Sequence, residues 1–202
     1  DILDTTPPVI PQEDGFTITT RPLSCSAIVN LPQLNITDNC NEIKKVVINV
    51  TTDGQPNGVI NNNGGSLDLE VGTHLITYTA IDQCLNQSDM SFEVVVRDNT
   101  DPVAICDQFN TVSIREDGQS FITAQSIDDG SYDACGDVTL KIRRMSDPCN
   151  TGQDLDWFDS VDFCCLDANT QPMIALLVTD KGGNTNICMV SVNVQDKINP
   201  TI

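Results

Sequence analysis

Residues 76–98 read ITYTAIDQCLNQSDMSFEVVVRD, and residues 174–196 read IALLVTDKGGNTNICMVSVNVQD. The two stretches align at a constant offset of 98, which places Asp82 over Asp180 and Asn86 over Asn184. Each has an alternating apolar run, a short turn and a second alternating run, which is the pattern of a strand, a turn and a strand. Asp and Asn close such turns by hydrogen bonding to nearby backbone N–H groups. The chain therefore contains one strand–turn–strand unit twice.

A shorter phrase marks where these units begin and end. An Asp is followed four positions later by a Pro in DTTPPVI at residues 4–10, DNTDPVAIC at 98–106 and DKINPTI at 196–202. The prolines Pro8, Pro102 and Pro200 are therefore separated by 94 and 98 residues. A period near this length matches one small β domain.

This period predicts two complete modules and the beginning of a third, so we expect the chain to be a piece of a longer array. The second module also carries extra residues that the first lacks. The predicted ranges are 1–98 for the first module, 99–196 for the second with an insertion near 147–161, and 197–202 for the start of the third.

Period-two apolar patterns dominate both modules, and convincing helical periodicity is nearly absent. Turn-forming residues, such as DGQPNG at 53–58 and NNNGG at 61–65, separate the candidate strands. Short strands at this spacing predict an all-β fold of two tandem β-sandwiches. The candidate strands are 16–20, 27–31, 45–51, 66–70, 74–81 and 91–97, followed by 111–115, 121–127, 138–145, 174–179 and 189–195.

The amino-acid composition limits the cellular compartments and the classes of binding partner that we expect for the protein. Nine cysteines with a single histidine and no CxxC pair favour disulfides over metal ligation, and hence an extracellular or otherwise oxidising environment. A net charge of −19 argues against binding to nucleic acid or to anionic lipid headgroups. The longest apolar run, at residues 173–178, is too short to cross a bilayer.

Several motifs together resemble the hyalin-repeat family. They are PVAIC at 102–106, DNC at 38–40 and DAC at 133–135, YTAID at 78–82 with its following Asn86, and the closing VVVRD and VNVQD. The resemblance covers both modules and implies immunoglobulin-like domains in tandem, as in secreted adhesive proteins. The second module is most similar to repeats of large Bacteroidetes-type surface proteins. The first module departs from the family at Pro11 and Met90, where the family has cysteines.

The resemblance implies a disulfide between Cys106 and Cys188, since the family pairs these two positions and the first module lacks both. Cys25 and Cys40 match a second family pair, which implies Cys25–Cys40, although Cys84 competes for Cys40. Four cysteines of the second module remain, and adjacent cysteines rarely bridge each other. Two connectivities are then open, and we favour Cys135–Cys165 with Cys149–Cys164 over the other pairing and over a zinc site.

The acidic residues near the module seam are candidate ligands for a calcium ion. Asp98 and Asp101 form an oxygen-rich hinge, and three turn residues extend the set of hard oxygen ligands that calcium prefers. The alternative is that these residues have only a structural role, in which they close turns and restrict the backbone just before the next strand. The turn residues are Asp38, Asp82 and Asn86.

The insertion alternates acids with aromatics in DPCNTGQDLDWFDSVDF at 147–163. Trp157 and Phe158 are candidate contacts for a sugar or a protein, and the acids around them for a cation or a basic partner. The alternative is an edge hairpin whose charges prevent strand pairing. Catalysis is not expected, because the single histidine, His74, lies in a strand with no nucleophile motif nearby.

The expected function is that of structural or adhesive repeats in a long secreted or cell-surface fibrous protein, with disulfide-stabilised modules acting as rigid spacers. Its partners would be neighbouring modules and other copies in a bundle or filament, without nucleic acid and without membrane insertion. The alternatives are a module that binds a glycan or a surface protein, and an accessory domain of a secreted enzyme. Calcium is the one candidate cofactor, and the sequence requires none.

Overall fold

The structure is a computed structural model, and it describes residues 4–39 and 42–197. The chain forms two compact units that divide between Asn99 and Thr100. This boundary lies one residue after the seam that the repeated phrase predicts. The predicted start of a third module, apart from Lys197, lies outside the described residues.

The first unit is a sandwich of a five-stranded sheet and a two-stranded sheet. The larger sheet has the order β1-β7-β6-β3-β4, and β2 pairs with β5 in the smaller one. All pairs are antiparallel except β1 with β7. The strands are β1 (Phe16–Thr19), β2 (Ser26–Leu31), β3 (Ile43–Thr52), β4 (Gln55–Ile60), β5 (Gly65–Glu70), β6 (Gly72–Asp82) and β7 (Gln87–Arg97).

Alternate residues of these strands build the core of the first unit. In β6 and β7 the buried positions follow the period of two, so Ile76 and Tyr78 face inward together with Phe92 and Val94. Side chains of β2 and β5, including Val29, meet them from the smaller sheet. The alternation that is visible in the sequence therefore determines which face of each sheet is buried.

The second unit repeats the design with a four-stranded sheet in the order β10-β12-β13-β8 and a pair β11-β9. Again only the pairing of β13 with β8 is parallel. A single helical turn, α1, follows β9, and a 3₁₀ turn follows β11. The elements are β8 (Asn110–Ile114), β9 (Gln119–Thr123), α1 (Ala124–Ile127), β10 (Thr139–Arg144), β11 (Ser160–Cys164), the 3₁₀ turn Cys165–Asp167, β12 (Met173–Thr179) and β13 (Thr185–Asp196).

The two units share their strand register as well as their sheet order. Phe16 lies opposite Val94 in the first unit, and Asn110 lies opposite Val192 in the second. Val94 and Val192 are separated by the same 98 residues that align the two hairpins in the sequence. The sequence repeat is therefore also a repeat of three-dimensional structure.

Strands β4 and β11 were not among the predicted strands. The segment that forms β4 carries Pro56 and Gly58 and was interpreted as a turn, but β4 lies at the edge of its sheet, where a proline removes no required hydrogen bond. The predicted insertion overlaps β11, since Ser160 and Val161 pair with β9. The segment 121–127 is not one strand, because it continues from β9 into α1.

Candidate functional site

Two disulfides tie the second unit together. Cys106 and Cys188 are joined with a Cα–Cα distance of 5.9 Å and a sequence separation of 82, which links the segment before β8 to β13. Cys149 and Cys164 are joined across a separation of 15. The first bond is the one that the family resemblance implied, and the second anchors the insertion to the end of β11.

The predicted Cys135–Cys165 bond is wrong. Cys164 ends β11 and turns toward Cys149, whereas Cys165 begins the 3₁₀ turn and its free thiol donates to the Gly118 carbonyl at 3.5 Å. Cys135 lies in a different turn, where its N–H donates to Asp133 Oδ1 at 2.7 Å. Of the two bonds favoured for these four cysteines, Cys149–Cys164 is therefore confirmed, and Cys135–Cys165 is not formed.

The cysteines of the first unit lie elsewhere. Cys25 carries a free thiol that is half-buried, and Cys84 carries an exposed free thiol in the turn between β6 and β7. Cys40 lies outside the described residues. The predicted pair Cys25–Cys40 and its competitor Cys40–Cys84 are therefore both wrong, because the thiols of Cys25 and Cys84 are free.

Three carboxylates meet at one end of the first unit. Asp4, Asp38 and Asp82 come from three separate segments, and each offers an oxygen atom that lies within 4.8 Å of the other two. Asp82 is only 1% exposed, while Asp4 and Asp38 are half-buried. Asp4 was not among the predicted ligands, although its place in the repeated Asp-x-x-x-Pro phrase was a usable signal.

Asn86 holds the Asp82 carboxylate from the far side of the turn. Its main-chain N–H donates to Asp82 Oδ1 at 2.8 Å and its side-chain amide donates to Asp82 Oδ2 at 2.7 Å. The same amide nitrogen also donates to the main-chain oxygen of Asp4 at 3.2 Å. Asn86 is therefore a residue that closes the turn and positions the acids around it.

The remaining predicted cation ligands, Asp98 and Asp101, do not belong to this group of three carboxylates. Asp98 is half-buried and accepts a hydrogen bond from the Thr20 hydroxyl at 3.4 Å. Asp101 is exposed. Of the five predicted residues, the structure thus brings together Asp38, Asp82 and Asn86 and joins Asp4 to them.

The two predicted ligand-contact residues lie beside the edge strand β10. The Arg143 guanidinium sits 4.7 Å from the centre of the Trp157 ring. Phe158 exchanges two backbone hydrogen bonds with Ile142, at 2.7 and 2.8 Å. Both aromatic residues are half-buried, and the bridge between Phe158 and Ile142 extends the edge of the sheet.

Asp147 closes a turn at the start of the insertion. Its Oδ2 accepts hydrogen bonds from the Gly152 N–H at 2.6 Å and from the Thr151 hydroxyl at 3.0 Å. Burial alone would raise the pKa of Asp147, but these hydrogen bonds and the charge of Arg144 lower that pKa below its usual value. The ionised carboxylate therefore stabilises the turn, and this contribution is lost when the pH falls through the lowered pKa.

A buried ion pair in the second unit was not anticipated from the sequence. Arg144 is fully buried and Asp167 is 2% exposed, and two hydrogen bonds of 2.9 and 2.5 Å join them. Arg144 also donates to the main-chain oxygens of Ser146 and Asp162. The pair locks the insertion and the 3₁₀ turn onto β10, and no local sequence signal distinguishes Arg144 from the exposed basic residues.

His74 occupies a structural position. It is fully buried, its Nε2 donates to the Glu70 carbonyl at 2.8 Å, and its Nδ1 lies 2.7 Å from the Thr52 hydroxyl. A carbonyl oxygen only accepts, so Nε2 carries a hydrogen in this arrangement. The Nδ1 contact therefore joins β6 to β3, and the Nε2 hydrogen bond joins β6 to the end of β5.

The chain resembles solved structures of tandem domains. Neither the protein-family models nor the curated protein sequences gave a match. The I-band fragment I67–I69 of titin matches 94% of this chain with a TM-score of 0.50 and 8% sequence identity. This chain in turn covers 66% of the titin fragment, slightly under two thirds of its length. The chain has an immunoglobulin-like fold. Both units are immunoglobulin-like β-sandwiches, and the low identity limits this similarity to the fold.

Two further structures match at lower scores. The structure of Dpr11 IG1 bound to DIP-gamma matches with a TM-score of 0.49 and 10% identity, covering 94% of this chain and 100% of that one. The human mucin-like protocadherin EC1-2 matches with a TM-score of 0.44 and 12% identity, covering 94% and 98%. Within residues 4–39 and 42–197, no helix is long and apolar enough to cross a membrane.

Proposed function

We propose that the chain is a pair of spacer modules from a longer extracellular array, with a structural or adhesive role. The observation that carries the proposal is the recurrence of one sheet order and one strand register in two consecutive units. Each unit has a hydrophobic core of its own, so each is a self-contained mechanical element. Repetition of such elements produces length and reach.

The chemistry of the second unit supports an extracellular setting. Disulfides persist in oxidising compartments, and the Cys106–Cys188 bond links the two ends of the unit. The net charge of −19 favours solubility and disfavours anionic partners. On the resemblance to hyalin repeats, we place the modules in a large bacterial surface adhesin of the Bacteroidetes type, where they would contact neighbouring modules and other copies in a bundle or filament.

Single-molecule extension tests the spacer role. A spacer module should resist force and unfold in distinct steps, and the Cys106–Cys188 bond should hide from extension the segment between the two cysteines, which are 82 positions apart. Reduction should therefore lengthen the fully extended chain by about 280 Å, at about 3.4 Å per residue. Extension at low force without distinct steps would contradict the mechanical role.

Recognition of a glycan or a protein at Trp157 is the alternative function. The half-exposed position of Trp157 supports this alternative, and the Arg143 guanidinium lies against its ring. Replacement of Trp157 and Phe158 by alanine separates the two functions, because lost attachment to cells supports recognition and unchanged attachment supports a spacer. A catalytic module elsewhere in the parent chain would instead favour the accessory role in a secreted enzyme.

We also propose that calcium binds at the three carboxylates of the first unit. Asp4, Asp38 and Asp82 supply hard oxygen atoms within 4.8 Å of one another, which is the donor chemistry that calcium prefers. Three like charges at this distance repel one another, and a bound cation would offset that repulsion. A bound ion would join the first residues of the unit to the turn between β6 and β7.

Thermal unfolding in calcium and in chelator tests this proposal. We expect a higher melting temperature for the first unit in calcium, and we expect Asp38→Asn to abolish the difference. Asp101→Asn is the matched control, because Asp101 is exposed and outside the group of three acids. If the first unit melts at the same temperature in calcium and in chelator, it has no calcium site of this kind. If Asp98→Asn or Asp101→Asn abolishes the calcium-dependent rise in melting temperature, the calcium site lies at the seam between the modules instead.

A further inference from the structure

A small cleft opens on the outer face of the four-stranded sheet of the second unit. Its volume is about 240 Å³. Along β13 the residues Val190, Val192 and Val194 are buried, so Ser191 and Asn193 project to the opposite, outer face. The cleft is lined by Gln108, Phe109, Asn110, Thr111, Gln171, Ser191 and Asn193.

The lining of this cleft is polar but contains no charged residue. Four of its side chains are amides and two are hydroxyls. This neutrality contrasts with the chain as a whole, which carries 29 acidic and 10 basic residues. A neutral, hydrogen-bonding surface of this kind suits a ligand that is itself polar and uncharged.

Most of the hydrogen-bonding groups in the cleft are available to a ligand. Asn110 is the exception, because it is only 9% exposed, lies opposite the buried Val192 and donates its amide nitrogen to the Asp107 carbonyl at 2.6 Å. The side chains of Gln108, Gln171 and Asn193 make no hydrogen bond to other described residues and are exposed or half-exposed. Each free amide offers a donor and an acceptor side by side, which matches a pair of neighbouring hydroxyl groups.

Phe109 supplies an apolar surface beside these amides. It is 90% exposed, the largest exposed fraction among the large hydrophobic residues of the described chain. An aromatic residue in such a position loses contact with water only when a ligand covers it. Its ring is therefore suited to the apolar C–H face of a sugar ring.

The loop that carries Phe109 is held rigidly. The Phe109 N–H donates to Asp107 Oδ1 at 3.0 Å, and the Asp107 N–H donates to the Ile127 carbonyl at 2.8 Å. The adjacent Cys106 is bonded to Cys188. Binding here would order little additional chain, and such preorganisation favours affinity.

We propose that this cleft binds one neutral sugar residue, with Phe109 stacked on the ring and the amides of Gln171 and Asn193 bonded to its hydroxyl groups. The volume is below the range for drug-sized ligands, which fits a single pyranose at the end of a chain or within it. This site is separate from Trp157 and does not rest on the spacer role, whose test measures extension under force.

The first unit provides an internal comparison. By strand register, its residues Asp14, Gly15 and Glu93 take the places of Gln108, Phe109 and Ser191. A side-chain carbon at Gly15 would lie 2.6 Å from the Glu93 carbonyl, so the backbone is closed against β7 at this point. In the first unit, the acids Asp14 and Glu93 and the close backbone contact at Gly15 stand where the second unit has its neutral cleft. We therefore expect no sugar binding in the first unit.

Titration by ¹H–¹⁵N NMR tests the proposal on the whole chain. The probes are the methyl glycosides of glucose, galactose, mannose and N-acetylglucosamine, with methyl glucuronide as a charged comparison. We expect at least one neutral glycoside to shift the side-chain amide signals of Gln171 and Asn193 with a millimolar dissociation constant. We expect Phe109→Ala and Gln171→Ala each to weaken that binding by about tenfold.

Phe121→Ala is the matched control, because Phe121 is a partly exposed phenylalanine on β9, in the other sheet. It should leave the titration unchanged, and so should Trp157→Ala. If no neutral glycoside shifts these amides, or if Phe121→Ala weakens binding as much as Phe109→Ala, the proposal is wrong. Loss of binding in Trp157→Ala alone would also overturn it and assign sugar recognition to the insertion.

Discussion

Arg144 and Asp167 form a two-point ion pair that is sealed inside the second unit. The pair joins β10 to the 3₁₀ turn, with distances of 2.9 and 2.5 Å between nitrogen and oxygen atoms. The Cys164 N–H donates to the same carboxylate at 3.1 Å, next to the Cys149–Cys164 bond. One buried charge pair therefore organises the whole insertion.

Removal of one member of this pair should strongly destabilise the second unit. Arg144→Met leaves the Asp167 carboxylate buried without its counter-ion, and such losses cost about 3–5 kcal/mol. Urea unfolding followed by the fluorescence of Trp157, the only tryptophan, reports on this unit alone. The double variant Arg144→Met with Asp167→Leu should recover much of the lost stability.

Lys141→Ala is the control from the same strand. Lys141 pairs with Asp159 at 2.8 Å, but both side chains are exposed, and such pairs contribute about 0–1 kcal/mol. If Arg144→Met lowered the urea midpoint no more than Lys141→Ala does, the buried ion pair would not be a major contributor to the stability of the second unit.

The two disulfides should differ in their contribution to stability. In the chain-entropy view, a bond across 82 residues stabilises by about 4.5 kcal/mol and one across 15 residues by about 3 kcal/mol. Serine replacement of both Cys106 and Cys188 should therefore lower the melting temperature of the second unit more than replacement of Cys149 and Cys164. The reverse order would show that anchoring the insertion matters more than closing the long loop.

The Asp–Asn turns should act independently in the two units. Asn86 bonds Asp82, and Asn184 repeats this geometry on Asp180 with distances of 2.9 and 2.8 Å. Each alanine variant removes one hydrogen bond to a carboxylate and should cost about 1.5–3 kcal/mol in its own unit. Asn184→Ala should shift the Trp157 transition, whereas Asn86→Ala should leave that transition in place; a shift in both variants would contradict independence.

Tyr78 should make the first unit sensitive to alkali. Its fully buried hydroxyl donates to the Pro32 carbonyl at 2.7 Å, and burial together with the nearby charge of Glu13 raises the pKa of Tyr78 to about 12. In the unfolded chain the phenol ionises near pH 10, so this contribution is complete below pH 10 and lost as the pH rises to about 12. The loss amounts to about 2–3 kcal/mol.

Absorbance at the tyrosinate band measures this pKa directly. Tyr132→Phe leaves Tyr78 as the only phenol of the chain. We expect a midpoint near 12 in the folded protein, and Tyr78→Phe should remove the corresponding alkaline loss of stability. A midpoint near 10 in the folded Tyr132→Phe variant would mean that the hydroxyl is open to water.

Local patterns in the sequence predicted much of the fold. Period-two alternation located most strands of both units, and the repeated Asp-x-x-x-Pro phrase located the division between the units within one residue. The strand β4 escaped because Pro56 disfavours a strand in general, and only an edge position makes it acceptable. Whether a strand lies at an edge depends on the arrangement of the whole sheet.

The sequence by itself determined the all-β character, the tandem repeat and the turn pairs Asp82–Asn86 and Asp180–Asn184, because these depend on residues close together in the chain. Only the tertiary structure decided which distant groups meet. It brings Asp4 to Asp38 and Asp82, pairs Arg144 with Asp167, and directs Cys164 and Cys165 to different neighbours. These contacts depend on strand order and register across the sandwich, so residues far apart in sequence come together only when the sheets pack.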